Sequence, residues 1–162
     1  VGTAHPLKYK NINDIADAFK VIWPRQFIYH YMPSKLKYVY QKLTAPEYKK
    51  AKLSEFKLEK IAPKQMIEVF EKSKCVLDSP QGGQTGLTIR TLECLGAKKK
   101  MVTSNVDIKY YDFYDKTNIL IFGAGKPVDT NSPFFTAPYK ELPSNLYGKY
   151  SLRNWLATML RT

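Results

Sequence analysis

The sequence predicts an α/β fold, because short strand-like runs alternate with helix-like stretches along most of the 162-residue chain. The strand-like runs are rich in β-branched, aromatic or other apolar residues and end at prolines or polar residues. The helix-like stretches repeat apolar residues every three or four positions. This alternation favours right-handed crossovers, so we expect a Rossmann-like three-layer sandwich with helices on both faces of a mainly parallel sheet.

Six strands are predicted from short apolar or alternating runs, at residues 1–4, 26–32, 54–60, 75–77, 101–104 and 118–122. The second run, QFIYHYM, is aromatic and ends at a proline, whereas the third, SEFKLEK, alternates between apolar and polar residues. The fourth, CVL, is continuously apolar, which predicts a strand buried on both faces.

Helices are predicted at residues 11–22, 34–43, 63–74, 88–96 and 150–160, with a further short one at 47–52. Residues 11–14 suit a helix cap, and Pro63 suits the first turn of its helix. Gly96 is expected to end the helix that begins at Thr88. Residues 123–147, which contain prolines, are expected to form a long loop before the last helix.

The length suits one hydrophobic core, so we expect a single domain over residues 1–162. The chain opens VGTAHPL without a methionine, which we interpret as a piece excised from a longer protein. No run of eighteen apolar residues and no secretory signal is present in the sequence, which predicts a soluble or membrane-peripheral protein.

The charge is strongly positive, with 26 lysines and arginines against 14 acidic residues and a net charge of +12, which favours an anionic partner. Residues 33–64 hold three glutamates and nine lysines: Lys35, Lys37, Lys42, Lys49, Lys50, Lys52, Lys57, Lys60 and Lys64. Tyr31, Tyr38, Tyr40 and Tyr48 lie in or just before this segment. One interpretation is a nucleic-acid surface with tyrosines available for stacking. The other is a solvated helix face whose tyrosines are half buried beside lysine stems.

Cys75 and Cys94 lack the C-x-x-C spacing of a metal or redox site, so we interpret them as reduced core residues. The sequence has no D-x-D-like metal motif, and no metal site is predicted. His5 and His30 are the only histidines. His5 follows the first strand and is a candidate to face a binding cleft, whereas His30 lies inside a predicted strand. Neither is assigned a catalytic role, and the catalytic residues stay unassigned.

The segment QGGQTG, residues 81–86, joins a predicted strand to a predicted helix at the carboxyl end of the sheet, where open parallel sheets bind ligands. Glycines let backbone amides approach an anion closely, and a helix N-terminus attracts phosphate. The hydroxyls of Thr85 and Thr88 add donors. The spacing fits neither G-x-G-x-x-G nor the P-loop, so a phosphate site and a plain tight turn both remain open.

Arg90 and Glu93 follow on the helix and share one face at i and i+3. A surface ion pair is one explanation. The other is a ligand with two chemically different ends, because an arginine binds phosphate and a carboxylate accepts hydrogen bonds from a ribose diol. Glu93 lies within the apolar run LECLGA, where an unpaired carboxylate would be costly, so we expect it to have a partner.

The stretch VLDSPQGGQTGLTIRTLECLGAKKKMVTSN resembles the nucleotide-sugar-binding core of GT-B glycosyltransferases. With YYDFYDKTNILIF after it, the chain is similar, more closely, to bacterial capsular-polysaccharide and lipopolysaccharide-core biosynthesis proteins of that superfamily. The resemblance spans residues 75–122. It implies the C-terminal half of a GT-B enzyme, with the N-terminal domain outside this chain.

The resemblance implies a loop facing the donor diphosphate or sugar at Gly83, Gln84, Thr85 and Gly86. It also implies that Arg90 contacts a phosphate and that Glu93 binds the ribose. Residues 103–107 would lie at a strand end beside the donor, and the aromatic residues 110–114 would either pack or stack on sugar. Many retaining members carry an E-x(7)-E pair whose first position is Thr85 here. This departure leaves the stereochemical outcome open.

The expected function is that of the donor-binding domain of a glycosyltransferase in bacterial capsule or lipopolysaccharide biosynthesis, inactive as an isolated half. Its expected partners are a nucleotide-diphosphate sugar, a saccharide or lipid-linked acceptor and the missing N-terminal domain, with no cofactor and no nucleic acid. We expect a cytoplasmic location, peripheral on the inner face of an anionic membrane. The alternatives are a basic nucleic-acid-binding module and a non-catalytic interaction domain of the same fold.

Overall fold

A computed structural model of the chain describes residues 2–84, 86–123 and 127–160. Strands and helices alternate along it, so the predicted α/β class is confirmed. The chain divides into two compact units, each with a three-stranded parallel sheet. Unit 1 comprises Val1–Ser73 and Gln81–Gln84, and unit 2 comprises Lys74–Pro80 and Thr85–Thr162. No helix in the described residues is long and apolar enough to cross a bilayer.

Unit 1 has three two-residue strands in sequential order: β1 (Gly2–Thr3), β2 (His30–Tyr31) and β3 (Phe56–Lys57). Its helices are α1 (Pro6–Phe19), α2 (Lys35–Thr44) and α3 (Pro63–Lys72). Two short 3₁₀ turns, Pro46–Tyr48 and Leu53–Glu55, precede β3. The unit is therefore a small βαβαβ arrangement followed by a helix.

Several predicted elements of unit 1 have different bounds in the structure. The strand expected over 54–60 keeps only Phe56 and Lys57, because residues 53–55 form a 3₁₀ turn. The short helix expected over 47–52 is the 3₁₀ turn Pro46–Tyr48. The helix expected from residue 11 begins at Pro6, because a proline suits the first turn and Tyr9 extends the buried face. The strand expected over 26–32 keeps only His30 and Tyr31, because β1 and β3 each offer two residues for pairing. The N-cap of α2 is Ser34, whose hydroxyl accepts a hydrogen bond from the Lys37 N–H.

The core of unit 1 is aromatic and centred on the buried Phe56. Its ring centroid lies 5.2 Å from that of Tyr9, 5.4 Å from that of Tyr48 and 5.6 Å from that of Tyr38. Ring centroids at these distances attract one another beyond the burial of their area. Ring packing thus stabilises a unit whose strands supply few ladder hydrogen bonds.

Unit 2 has longer strands, again parallel and in sequential order: β4 (Cys75–Asp78), β5 (Lys100–Thr103) and β6 (Ile119–Ile121). Asp78 pairs with Thr103, and Thr103 pairs with Ile121, so the three strands end in line. The helices are α4 (Ile89–Gly96), α5 (Pro133–Thr136), α6 (Ser144–Lys149) and α7 (Leu152–Met159). The prediction of an unbroken loop over residues 123–147 was wrong, since α5 and part of α6 lie there.

The core of unit 2 is mainly aliphatic: its buried apolar side chains include those of Met101, Val102, Ile108 and Ile119, together with the rings of Phe113 and Phe134. The prediction that residues 75–77 are buried on both faces was wrong, because these side chains are only half buried. Within the sheet of unit 2, β4 pairs with β5 alone and is an edge strand.

Two side chains attach the segment around α5 to this sheet. Lys100 Nζ donates to the carbonyls of Phe134 and Ala137, each at 2.6 Å. Asn118 uses its whole amide, since Nδ2 donates to the Lys140 carbonyl at 2.6 Å and Oδ1 accepts from the Lys140 N–H at 2.8 Å. A chain segment without strand structure is thereby fixed beside the start of β6.

Candidate functional site

The carboxyl end of β4 is tied to the start of α4 by one buried hydroxyl. Thr88, the N-cap residue of α4, accepts at Oγ1 from the Thr91 backbone N–H at 3.2 Å. The same hydroxyl donates to Asp78 Oδ2 at 2.7 Å. All three residues are buried. This contact fixes the N-terminus of α4 at the carboxyl edge of the sheet, where ligands of parallel sheets bind.

Small polar side chains continue this edge from β4 to the end of β5. Ser104 Oγ donates to Ser79 Oγ at 2.8 Å. The Asn105 N–H donates to Thr103 Oγ1 at 3.1 Å, and Asn105 Oδ1 accepts from the Asp107 N–H at 3.0 Å. Residues 103–107 therefore lie at a strand end, as expected. Polar side chains already held in place suit the binding of a polar ligand.

Arg90 and Glu93, the predicted phosphate and ribose contacts, pair with each other on α4. Arg90 Nη1 lies 2.5 Å from Glu93 Oε2, an ion pair by distance, although Oε2 forms no hydrogen bond within the described residues. The Arg90 side chain is 15% exposed and the Glu93 side chain 37% exposed. The partner expected for Glu93 is thus on its own helix, and the Oε2 atom of this partly exposed side chain is itself buried.

The predicted donor loop is divided between the two units. Gly83 and Gln84 group with unit 1, Gly86 groups with unit 2, and Thr85 lies outside the described residues. The Gln84 N–H donates to the Gln81 carbonyl at 3.0 Å, which closes a turn. Gly83 has φ +81°, a left-handed conformation that other residues rarely adopt. A tight turn therefore explains the glycine at position 83 without a ligand.

His5 lies beside this turn within unit 1. A Cβ added to Gly82 would sit 3.4 Å from His5 Cε1 and 3.7 Å from Leu7 Cδ2. His5 Nδ1 is buried and has no hydrogen-bond partner in the described part of the chain. The structure therefore brings the predicted cleft-facing histidine and the glycine-rich segment together.

His30, by contrast, is a packed core residue, as expected. Its Nε2 lies 3.0 Å from Asn13 Oδ1, and its ring centroid lies 5.0 Å from that of Tyr9. Burial lowers the pKa of His30 from 6.5 to about 4, because the charged imidazolium would lose its hydration.

The two cysteines are free, Cys94 buried and Cys75 half buried. Burial raises the pKa of Cys75 to about 12 and raises that of Cys94 as well, so neither thiol forms a reactive thiolate near neutral pH. Across residues 2–84, 86–123 and 127–160, no group of three His, Cys, Asp or Glu side chains could hold a metal ion.

The lysine-rich segment, residues 33–64, exposes all nine of its lysines. Its tyrosines differ from one another: Tyr38 and Tyr48 are buried in the core, Tyr31 is half buried, and Tyr40 is exposed. Two of the four rings considered for base stacking are therefore unavailable to a nucleic acid.

The aromatic residues 110–114 also serve mainly in packing. Phe113 is buried, with its ring centroid 5.5 Å from that of Tyr111 and 4.8 Å from that of Tyr150. Asp112 accepts hydrogen bonds from Lys149 Nζ and the Tyr150 hydroxyl. Of the four aromatic residues in this run, only Tyr110 is largely exposed. This run of aromatic residues therefore anchors the junction of α6 and α7.

Comparison with known proteins adds no relative to this picture: no protein family, curated protein or solved structure gives a significant match.

Proposed function

We propose that the chain is the nucleotide-sugar donor-binding domain of a glycosyltransferase that builds a bacterial capsule or lipopolysaccharide. One observation carries the proposal. The Asp78–Thr88 hydrogen bond holds the N-terminus of α4 at the carboxyl edge of a parallel sheet, with Arg90 and Glu93 on the first turns of that helix. The resemblance of residues 75–122 to GT-B enzymes supplies the class of ligand.

The proposed site lies in unit 2, where positively polarised groups would bind the diphosphate and a carboxylate would bind the ribose. The first backbone N–H groups of a helix lack intrahelical acceptors and attract phosphate, and Arg90 adds a full positive charge. Glu93, whose side chain is 37% exposed and whose Oε2 forms no hydrogen bond within the described residues, accepts hydrogen bonds from the ribose diol. In transfer, the amides and Arg90 stabilise the negative charge that develops on the leaving diphosphate.

The proposal also includes the detailed fold type. Each unit carries three parallel strands in sequential order, separated by helical segments, which is the βαβαβ pattern of one half of a doubly wound domain. We therefore propose a Rossmann-like three-layer sandwich of the kind found in the C-terminal half of a GT-B enzyme. Under this proposal the acceptor site and the catalytic base come from an N-terminal domain.

Nucleotide binding by the chain tests the proposal directly. UDP, GDP, CDP and ADP are titrated separately, with melting temperature and calorimetry as readouts. We expect one of these nucleotides to stabilise the wild type. Glu93→Ala should bind that nucleotide about tenfold to a hundredfold more weakly, because it loses a charge-assisted hydrogen bond. Glu141→Ala is the matched control, because Glu141 is also an ion-paired glutamate of unit 2.

If none of these nucleoside diphosphates stabilises the chain, it is not a donor-binding domain. Equal weakening in Glu93→Ala and Glu141→Ala would remove Glu93 from the site. Salt-sensitive binding to random oligonucleotides, with no response to mononucleotides, would favour the nucleic-acid alternative instead.

A further inference from the structure

Helix α2 turns its apolar side chains away from unit 1. Leu36 and Leu43 are each 82% exposed, Tyr40 is 66% exposed and Val39 is 51% exposed. Successive residues of an α-helix are rotated by about 100°, so these four side chains fall within one stripe along the helix. We call them the α2 stripe. The opposite side of the helix carries Tyr38, which is buried.

The α2 stripe is not needed to attach the helix to its own unit. Tyr38 does this on the inner side, with its ring 5.6 Å from that of Phe56 and its hydroxyl donating to the Ala51 carbonyl at 2.9 Å. An ordinary surface helix buries its apolar stripe and exposes its polar face. A contiguous apolar surface left outside is instead typical of an interaction site.

Lysines flank the α2 stripe on the helix, and further lysines follow the helix in the sequence. Lys35, Lys37 and Lys42 lie on the helix itself, Lys49, Lys50 and Lys52 follow it, and all six are exposed. The ion pairs found among the described residues involve other cations, so none of these lysines is neutralised by a carboxylate. Lys42 Nζ donates to the Ala51 carbonyl at 2.8 Å, which holds its charge beside the helix.

We propose that α2 docks the chain on an anionic lipid bilayer, with the α2 stripe in the interfacial layer and the flanking lysines on lipid phosphates. An apolar stripe flanked by lysines is the pattern of helices that lie in a membrane interface, and a tyrosine suits the boundary between acyl chains and headgroups. A second copy of the chain is a poor occupant, because a symmetric contact would bring two sets of uncompensated lysines together. This proposal is independent of nucleotide binding.

Vesicle co-sedimentation tests the proposal with the full chain. The probes are vesicles of phosphatidylcholine alone and vesicles in which about a third of the lipid is phosphatidylglycerol. We expect binding to the anionic vesicles only, and a reduction of at least about tenfold in partitioning for the double variant Leu36→Ser/Leu43→Ser. The matched control is Val21→Ser/Leu152→Ser, which removes two exposed apolar side chains outside α2 and should bind like wild type.

A second pair of variants examines the lysines. Lys35→Gln/Lys37→Gln should weaken binding to anionic vesicles more than Lys20→Gln/Lys72→Gln, which removes the same charge from other exposed positions. Circular dichroism checks that each variant is folded.

The proposal is overturned if wild type does not bind anionic vesicles, or if the α2 stripe variant binds them as well as wild type. It is also overturned if wild type forms a dimer that loss of the stripe dissociates and neither protein binds vesicles.

Discussion

Units 1 and 2 have the same sheet topology but differ in strand length and in the side chains that form their cores. Unit 1 has two-residue strands, a core of stacked aromatic rings and a surface rich in lysine. Unit 2 has strands of three or four residues, a mainly aliphatic core and small polar side chains gathered at one edge. Where the hydrogen-bonded ladder is short, ring packing holds the strands together. Where the ladder is longer, the strand ends are fixed well enough to position polar side chains.

The aromatic core is where unit 1 should be most vulnerable. Phe56→Ala removes the ring that lies within 6.0 Å, centroid to centroid, of four others. We expect a loss of about 3–5 kcal/mol in the free energy of unfolding, measured by urea denaturation. Phe27→Ala removes an exposed ring and should cost less than about 1 kcal/mol. Similar losses in both variants would contradict the picture of a core centred on Phe56.

Acid should loosen unit 1 through His30. Its pKa is about 4 in the folded chain and near 6.5 in the unfolded chain, so only the unfolded chain takes up this proton between those values. We expect stability to fall as pH falls from 6.5 to 4, by at most roughly 3 kcal/mol, and to be unaffected by this group above 6.5. NMR titration of the His30 ring measures the folded pKa, with His5→Gln for assignment. A folded pKa at or above 6.5 would refute the expectation.

Unit 2 should respond to acid at lower pH, through Asp115. Hydrogen bonds from Lys140 Nζ at 2.7 Å and from the Thr117 N–H at 2.8 Å lower its pKa from 3.8 to about 2. Its contribution to stability is complete above pH 4 and is lost as pH falls towards 2. We expect about 1 kcal/mol, because Lys140 is exposed and solvent screens the pair. Asp115→Asn should therefore differ from wild type at pH 5 and converge with it near pH 2.

Two tyrosines of the unit 1 core should respond oppositely to loss of their hydroxyls. Tyr38 donates to the Ala51 carbonyl, whereas the buried Tyr48 hydroxyl has no partner in the described residues. Tyr38→Phe should cost about 1 kcal/mol, and Tyr48→Phe should be neutral or gain up to about 1 kcal/mol. Urea denaturation of both variants under one condition measures the difference. A destabilised Tyr48→Phe would show that this hydroxyl has a partner.

Local sequence signals predicted the helices better than the strands. Thr88 caps α4 and Pro63 opens α3 as expected, because these signals depend on neighbouring residues alone. Helix α4 ends at Gly96 as expected, but Gly96 is not its cap, since the C-cap residue is Ala97 and the left-handed residue after it is Lys98. The aromatic run before Pro33 is mostly unpaired, because strand length depends on partners far away in the sequence. The burial of β4 was predicted wrongly for the same reason. Whether a strand lies at the edge of a sheet depends on the whole sheet and cannot be inferred from the local run CVL.

For the candidate site, the sequence predicted which residues share a helix face, but it did not predict which partners they contact. It placed Arg90 and Glu93 on one face and required a partner for the glutamate, but it left open whether that partner was Arg90 or a ligand. It did not single out Ser79, although a serine directly after a buried strand end was a usable signal. The Asp78–Thr88 hydrogen bond joins residues ten positions apart and depends on how the intervening chain folds.

The side chain of Asn118 has a consequence for assembly. An open strand edge invites pairing with another chain, and most proteins cover such edges or place charges on them. Asn118, the residue before β6, hydrogen bonds to both the N–H and the carbonyl of Lys140. A single side-chain amide thus satisfies both backbone groups of Lys140, which leaves neither of them to pair with the strand of another chain.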